Sequence, residues 1–223
     1  MQAPEAEASA ERVHRQRDVA MARPREFDET AVVDEAMRTF WRLGYDATSV
    51  AELERATGLS RISIYSTFGD KEGLFLRALD RYHGSARPIF EESIARGGLE
   101  GLEDFFLRLS ARSDTDSPAS YGCLMVNTVL DIRQATEPVR QRIEVYRAML
   151  LKSYARALRN AVKDGELIAS RAQLRDRSQF LLGAQWGALA MIRFGGETTA
   201  ARPMANVVVQ TIRSWRESTG TAA

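Results

Sequence analysis

Apolar residues recur at three- and four-residue intervals along most of the chain, and no segment sustains the strict alternation that a strand requires. From Asp28 onward, Val33, Met37, Phe40 and Trp41 fall on one side, with Asp34, Glu35, Arg38 and Arg42 mostly on the other. That spacing predicts an amphipathic helix stopping at Gly44, a residue that tolerates positive φ. Ser49 and Glu52 have the spacing of a capping box, and Val50, Leu53 and Ala56 supply a short apolar stripe as far as Gly58. Gly58-Leu59-Ser60 then reads as a tight turn. Gly58 takes the left-handed conformation, Leu59 plugs the angle between two helices, and Ser60 caps a third short helix from Arg61 to about Phe68. Gly69 and Asp70 end it, and Asp70 caps a fourth helix bearing Leu74, Phe75, Ala78, Leu79 and Tyr82, expected to end near Gly84.

Beyond Gly84 the helical period continues, with breaks at Gly97-Gly98, 114–120, 136–138, Asp164-Gly165 and Gly195-Gly196. Helices are predicted at about 86–96, 99–112, 122–135, 138–163, 171–194 and 203–217. The fold class is therefore all-α, with roughly ten helices: an N-terminal three-helix helix-turn-helix domain and a larger C-terminal helical domain. The expected divisions are a flexible basic tail over 1–26, the helix-turn-helix domain over 27–84, and a ligand-binding and dimerisation domain over 85–223. The tail is rich in Ala, Glu and Arg without apolar periodicity. Met21 opens a stretch that reads as a natural start, so translation is expected to begin at either Met1 or Met21.

Composition narrows the function mainly by exclusion. The chain of 223 residues carries 31 Lys and Arg against 30 Asp and Glu, so net charge gives no pointer to nucleic acid. Its distribution does: Arg12, Arg15, Arg17, Arg23 and Arg25 face only Asp18 within residues 12–25, a basic arm. With no run of about 18 apolar residues and no secretory stretch among the first twenty, no membrane partner is expected and the cytoplasm is the expected compartment. The single cysteine, Cys123, allows no internal disulfide. Two histidines, His14 and His83, no paired Cys or His at metal spacing, and no glycine-rich phosphate loop or Gly-x-Ser-x-Gly argue against an enzyme, a metal site or a cofactor. A helical module that grips a partner protein is the other class the pattern allows.

Two short helices joined by a glycine-containing turn and braced by a preceding helix make the geometry that places the second in a DNA major groove. Its exposed face would carry Arg61, Ser63, Ser66 and Thr67, with Ile62 at a thymine methyl and Tyr65 at a phosphate, while Ile64 and Phe68 point into the core. Thr48 and Ser49 at the start of the second helix and Lys71 at the start of the fourth would frame it with phosphate contacts. Arg23 and Arg25, kept extended by Pro24, would reach the minor groove. The plain alternative is that Lys71 and the arm are solvated charges.

Ala36, Phe40, Gly44-Tyr45, Thr48-Ser49-Val50, Ala56, Gly58-Leu59-Ser60, Ile64-Tyr65, Phe68, Lys71 and Leu74 stand at spacings that resemble the DNA-binding domain of the TetR family of repressors over residues 27–83. The resemblance implies a dimeric repressor of a near-palindromic double-stranded operator, with a variable effector domain behind it and release by a small molecule. Past residue 84 only length and helical character match, so the effector does not carry over.

In the second domain, Phe180, Leu181, Ala184, Ala188 and Met191 form one stripe, and Val207, Val208, Thr211, Ile212 and Trp215 another. Members of the family commonly pair two such helices with their copies, and here the last two long helices would form the homodimer; the alternative is internal core. Cys123 and Asn127 lie one turn apart in an apolar segment, where a buried Asn needs a partner. They are expected to line a pocket together with Phe90, Phe106, Tyr146, Gln185 and Trp186, suiting an apolar or aromatic effector. Some family members sense electrophiles or oxidants through a cysteine in a similar Gly-Cys-Leu motif; the alternative readings are a small buried hydrophobe for Cys123 and a helix cap for Asn127. The fourth helix, spanning Leu74 to Tyr82 and His83, is the expected transmitter between domains.

Overall fold

The computed structural model describes residues 27–95, 97–111, 117–131 and 135–216. Among them are nine α-helices and no strand. They are α1 (Glu29–Leu43), α2 (Val50–Thr57), α3 (Arg61–Phe68), α4 (Lys71–Ala95), α5 (Gly98–Leu109), α6 (Leu124–Asp131), α7 (Glu137–Lys163), α8 (Arg171–Gly195) and α9 (Arg202–Ser214). Two short 3-10 turns, Pro118–Tyr121 and Thr198–Ala201, precede α6 and α9.

The predicted starts of the first four helices, and the stops of the first three, coincide with local chemistry. Asp28 caps α1 by accepting from the amides of Thr30 and Ala31. Ser49 and Glu52 complete a reciprocal capping box on α2, Gly58 adopts φ 71°, and Ser60 accepts from the Ser63 amide to start α3. Asp70 accepts from the Gly73 amide at 2.7 Å and starts α4. Around these caps α1, α2 and α3 close on the first half of α4. Phe40 meets Phe75 edge-on with ring centres 4.9 Å apart, Tyr45 lies 4.6 Å from Phe75, and Leu53, Ile64, Leu74 and Leu79 are fully buried.

The expected end of the fourth helix at Gly84 is overturned: α4 continues unbroken to Ala95, merging two predicted helices. A glycine costs a helix interior about 1 kcal/mol, which tertiary burial outweighs here: Tyr82 on one side of Gly84 and Phe90 and Ile94 on the other all enter the core. Pro88 is also accommodated within α4. A proline in mid-helix crowds the carbonyl four residues earlier, and that residue is Gly84.

The helix expected over 122–135 is shorter, because Pro118–Tyr121 forms a 3-10 turn and Gly122, at φ 74°, turns the chain before α6 begins at Leu124. A Cβ on Gly122 would lie 2.7 Å from the Leu189 carbonyl, so this turn is pressed against the backbone of α8. The far half of α4 packs with α5 and α7, α8 packs on α7, and α9 packs on α5 and α8. Tyr154, Phe106, Leu99, Leu102, Leu158 and Leu181 fill the larger core.

Polar contacts at the surface fasten α4 to α1 and join the two regions. Arg81 grips Asp34 through Nε at 2.6 Å and Nη2 at 2.9 Å, Arg142 of α7 reaches Asp80 at 2.9 Å, and Thr136 donates to Glu72 at 2.8 Å. Arg193, in the last turn of α8, donates from Nη1 to the backbone carbonyls of Trp41 (3.1 Å) and Arg42 (2.9 Å). Those carbonyls belong to the last turn of α1 and have no partner within the helix.

Candidate nucleic-acid interface and ligand cavity

α3 is held by little of itself. Of its eight residues only Ile64 is buried, and the Glu54 carboxylate accepts from the Arg61 amide at 2.6 Å, fixing the start of α3 to α2. Arg61, Ile62, Ser66 and Thr67 are exposed, Ile62 to 81%, and Ser63 and Tyr65 are half-buried. The Arg61 guanidinium stands 5.1 Å from the Tyr65 ring centre, and the Ser63 hydroxyl pairs with that of Ser60 at 3.0 Å. A helix that presents a cation, hydroxyls and one bare aliphatic side chain, on a rigid three-helix mount, has the chemistry for phosphates and base edges. Phe68 departs slightly from expectation, being half-buried rather than core.

The flanking residues divide. Ser49 is exposed at the start of α2, although its amide and hydroxyl are engaged by Glu52. Thr48 does not stand at the surface as expected: it is completely buried and its hydroxyl donates to the Gly44 carbonyl at 2.6 Å, closing the turn between α1 and α2. Lys71 reaches the other way from the same turn. Its ammonium donates to the Thr48 carbonyl at 2.8 Å and lies 4.3 Å from the Tyr45 ring centre, and burial lowers its pKa against the opposing pull of Asp46 and Glu52. Lys71 is thus a strut between α4 and the α1–α2 turn, with one of the three donors of its ammonium taken by the Thr48 carbonyl. The expected arm residues Arg23 and Arg25 lie outside the described residues.

Behind this unit a cavity of about 480 Å³ opens between α1, α4, α5, the Gly122 turn, α7 and α8. Of the residues expected there, Phe90, Cys123, Tyr146 and Gln185 line it, and Phe106, Asn127 and Trp186 do not. Helical rotation explains two of the three. On α8 the lining residues are Gln185, Leu189 and Ile192, and Trp186 stands about 100° round from that face; on α5 they are Phe105, Arg108 and Leu109, leaving Phe106 turned aside. Asn127 is buried, and its side-chain amide donates to the Tyr121 carbonyl at 2.8 Å, so it fastens the turn ahead of α6.

Apolar side chains make most of the cavity wall, including Ala86, Ile89 and Phe90 of α4. Its polar groups are held neutral or paired. The Cys123 thiol lies 3.7 Å from the Tyr146 hydroxyl, and burial, reinforced by Cys123, drives the Tyr82 and Tyr146 phenols well above their usual range. Gln185 accepts from the buried Tyr154 hydroxyl at 2.9 Å, and Arg108 is clasped by Asp104. Trp41, which sequence reasoning placed only on the apolar stripe of α1, also lines the cavity and meets Tyr82 edge-on with ring centres 5.0 Å apart. The signal available was that Phe40 and Trp41 are adjacent large apolar residues, a wider face than a small helix-turn-helix unit can cover.

A mounted recognition helix, a glycine turn behind it and a helical body enclosing an apolar cavity define a helix-turn-helix transcriptional regulator. Residues 32–78 match the family model for bacterial regulatory proteins of the tetR family, and residues 98–218 match that for the tetracyclin repressor-like C-terminal domain. The chain is 32% identical over 153 residues to the HTH-type transcriptional repressor ComR of Escherichia coli strain K12, covering 65% of this chain and 70% of ComR. It is 34% identical over 108 residues to the HTH-type transcriptional repressor AcnR of Corynebacterium glutamicum, covering 48% and 51% of the two chains. A cysteine-substituted form of the TetR family regulator CifR, solved with 26-bp double-strand operator DNA, superposes with TM-score 0.73 at 26% identity over 87% of this chain and all of that one. This protein belongs to the TetR family of transcriptional regulators. Among the described residues no helix is long and apolar enough to cross a membrane.

Proposed function

We propose that the protein is a cytoplasmic homodimeric repressor, placing α3 of each protomer in successive major grooves of a near-palindromic operator and leaving it when a small molecule enters the cavity behind α1. The observation that carries this reading is the pairing of an exposed α3 face with an apolar cavity whose wall includes α1, the brace of the DNA-binding unit. Arg61, Ile62, Ser66 and Thr67 would read the groove, with Ser63, Tyr65, Ser49, Lys71, Arg23 and Arg25 at the backbone or the adjacent minor groove. Dimer protomers would set their recognition helices about 34–36 Å apart. ComR and AcnR, both repressors, and CifR on its operator lend the sign and the partner.

Dimerisation is supported by what α8 and α9 leave uncovered. Leu181, Ala184 and Ala188, expected in the dimer stripe, are buried within the chain's own core, as are Val208 and Ile212. Of the expected stripes, Phe180 and Met191 of α8 and Val207 of α9 do face outward, joined on α8 by Gly183 and by Phe194, which is 96% exposed. Exposed apolar side chains along one face of a long helix are characteristic of a subunit interface.

The test is fluorescence anisotropy with DNA from upstream of the protein's own gene, at two salt concentrations and with random DNA as competitor. Sedimentation of the protein and of Met191→Asp would accompany it. Competitor-resistant binding by a dimer, lost in a monomeric Met191→Asp, is expected. Binding to the operator by a monomer, or a dimer unaffected by the substitution, refutes the assigned interface; absence of any selective site in a genome-wide selection refutes the operator reading.

A further inference from the structure

One polar group on a side chain of the cavity wall, itself shielded from water, is left unanswered by the protein. The Trp41 indole N–H is buried and has no hydrogen-bond acceptor. Leaving such a donor dry is costly, and in native proteins it calls for a specific reason. Every other polar group named in the wall has an occupation: Arg108 is paired with Asp104, Gln185 accepts from Tyr154, and Cys123 lies against Tyr146. The Ser85 and Thr198 hydroxyls donate to the Tyr82 and Ala111 carbonyls, and the rest of the lining is mostly aliphatic or aromatic and carries no unpaired charge that would compensate an ion.

We propose that the cavity takes an uncharged, largely apolar molecule bearing a hydrogen-bond acceptor such as a carbonyl, and that this acceptor pairs with the Trp41 indole N–H. This deepens the effector reading above and rests on it. The consequence is a change of route. The sequence pointed to α4 as the transmitter, but Trp41 belongs to α1, so the ligand is held directly by the helix that braces α2 and α3. The same residue's carbonyl is gripped by Arg193 of α8, and its ring meets Tyr82 of α4 and Tyr121 of the 3-10 turn. A molecule drawn to the indole therefore acts on the joint where all four elements meet, and discriminates between seatings of α1 without relaying through a second helix.

The experiment compares benzophenone with diphenylmethane, two probes of similar shape that differ by a carbonyl in place of a methylene. Calorimetric titration uses the full chain, Trp41→Phe, and Trp186→Phe as a control, because Trp186 also has a buried N–H without an acceptor but stands outside the cavity. The wild-type protein is expected to bind benzophenone at least about tenfold more tightly. Trp41→Phe is expected to abolish that preference and Trp186→Phe to keep it. Retention of the preference in Trp41→Phe, or its absence from the wild type while both probes bind, overturns the Trp41 assignment and leaves the cavity reading standing. Failure of both probes to bind overturns the cavity reading as well. Should Trp41→Phe not fold, the three indole N–H resonances of 15N-labelled wild type decide, after assignment through Trp186→Phe and Trp215→Phe. A downfield shift of the Trp41 resonance with benzophenone alone supports the pairing, and an unmoved resonance overturns it.

Discussion

Replacing Arg193 with Ala separates the bracing of α1 from everything else α8 does. The guanidinium Nη1 satisfies two of the orphan carbonyls at the end of α1, at 3.1 Å on Trp41 and 2.9 Å on Arg42. A hydrogen bond to a charged group contributes about 1.5–3 kcal/mol, and a cation at a helix C-terminus adds about 0.3–1 kcal/mol. The Arg42 contact is at the surface, where water takes over when the arginine is gone, whereas the Trp41 contact is partly buried. The net loss is then about 1–2 kcal/mol, close to one bond rather than two. For a domain of 150–250 residues, each kcal/mol lowers Tm by about 2–4 °C, so Arg193→Ala should melt about 2–8 °C lower. Arg193→Lys should fall between, because a single ammonium lacks the fork of the guanidinium. Differential scanning calorimetry measures the first quantity and operator anisotropy the second. Affinity for DNA should fall too, because the mount of α2 and α3 is looser. A melting point unchanged within about 1 °C, with unchanged operator affinity, would refute the claim that this contact couples the two regions.

Two isoleucines of α3 should behave oppositely: Ile64→Ala, at a fully buried site, should cost about 2–5 kcal/mol of stability by denaturant melt, whereas Ile62→Ala should stay within about 0.5 kcal/mol and relax operator specificity at one position. Equal melting of the two would contradict the assignment of faces. Arg81 holds the Asp34 carboxyl below the usual carboxylate range. Its contribution is present above the unfolded value of about 3.9 and is lost as pH falls through the lower folded value. Wild type should therefore melt higher than Asp34→Asn at neutral pH and converge with it in acid; parallel curves down to pH 2 would remove the pair from the stability account. Lys71→Ala takes away the strut to Thr48 and one positive charge, so operator and random DNA should lose affinity alike, with a salt slope shallower by about one. Loss confined to the operator would make Lys71 a reader of bases.

The helix-turn-helix was legible because its signals are local and agree with one another. Ser49 with Glu52, Gly58, Ser60 and Asp70 are caps whose chemistry acts within four residues, and the intervening apolar positions belong to one small core. Gly84 misled for the converse reason. Its local preference for a stop is worth about 1 kcal/mol, and burial of Tyr82, Phe90 and Ile94 far along the same helix decides against it. Residue 84 accordingly marks no break in the helical backbone. The cavity was partly legible: aromatic content indicated its character, but its lining depends on rotation about each axis. That rotation admits Phe105 and Gln185 and turns Phe106 and Trp186 away. Thr48 was misplaced for a similar reason, since a hydroxyl near a helix start can face the groove or its own turn, and only packing chooses.

The sparse anchoring of α3 bears on how such a regulator changes over generations. With Ile64 alone fully buried, the outward positions of the recognition helix can be substituted without touching the hydrophobic interior. Drift to a new operator then proceeds through variants that all remain folded. A duplicated copy of such a gene could thus acquire a separate target while inheriting an unaltered mount.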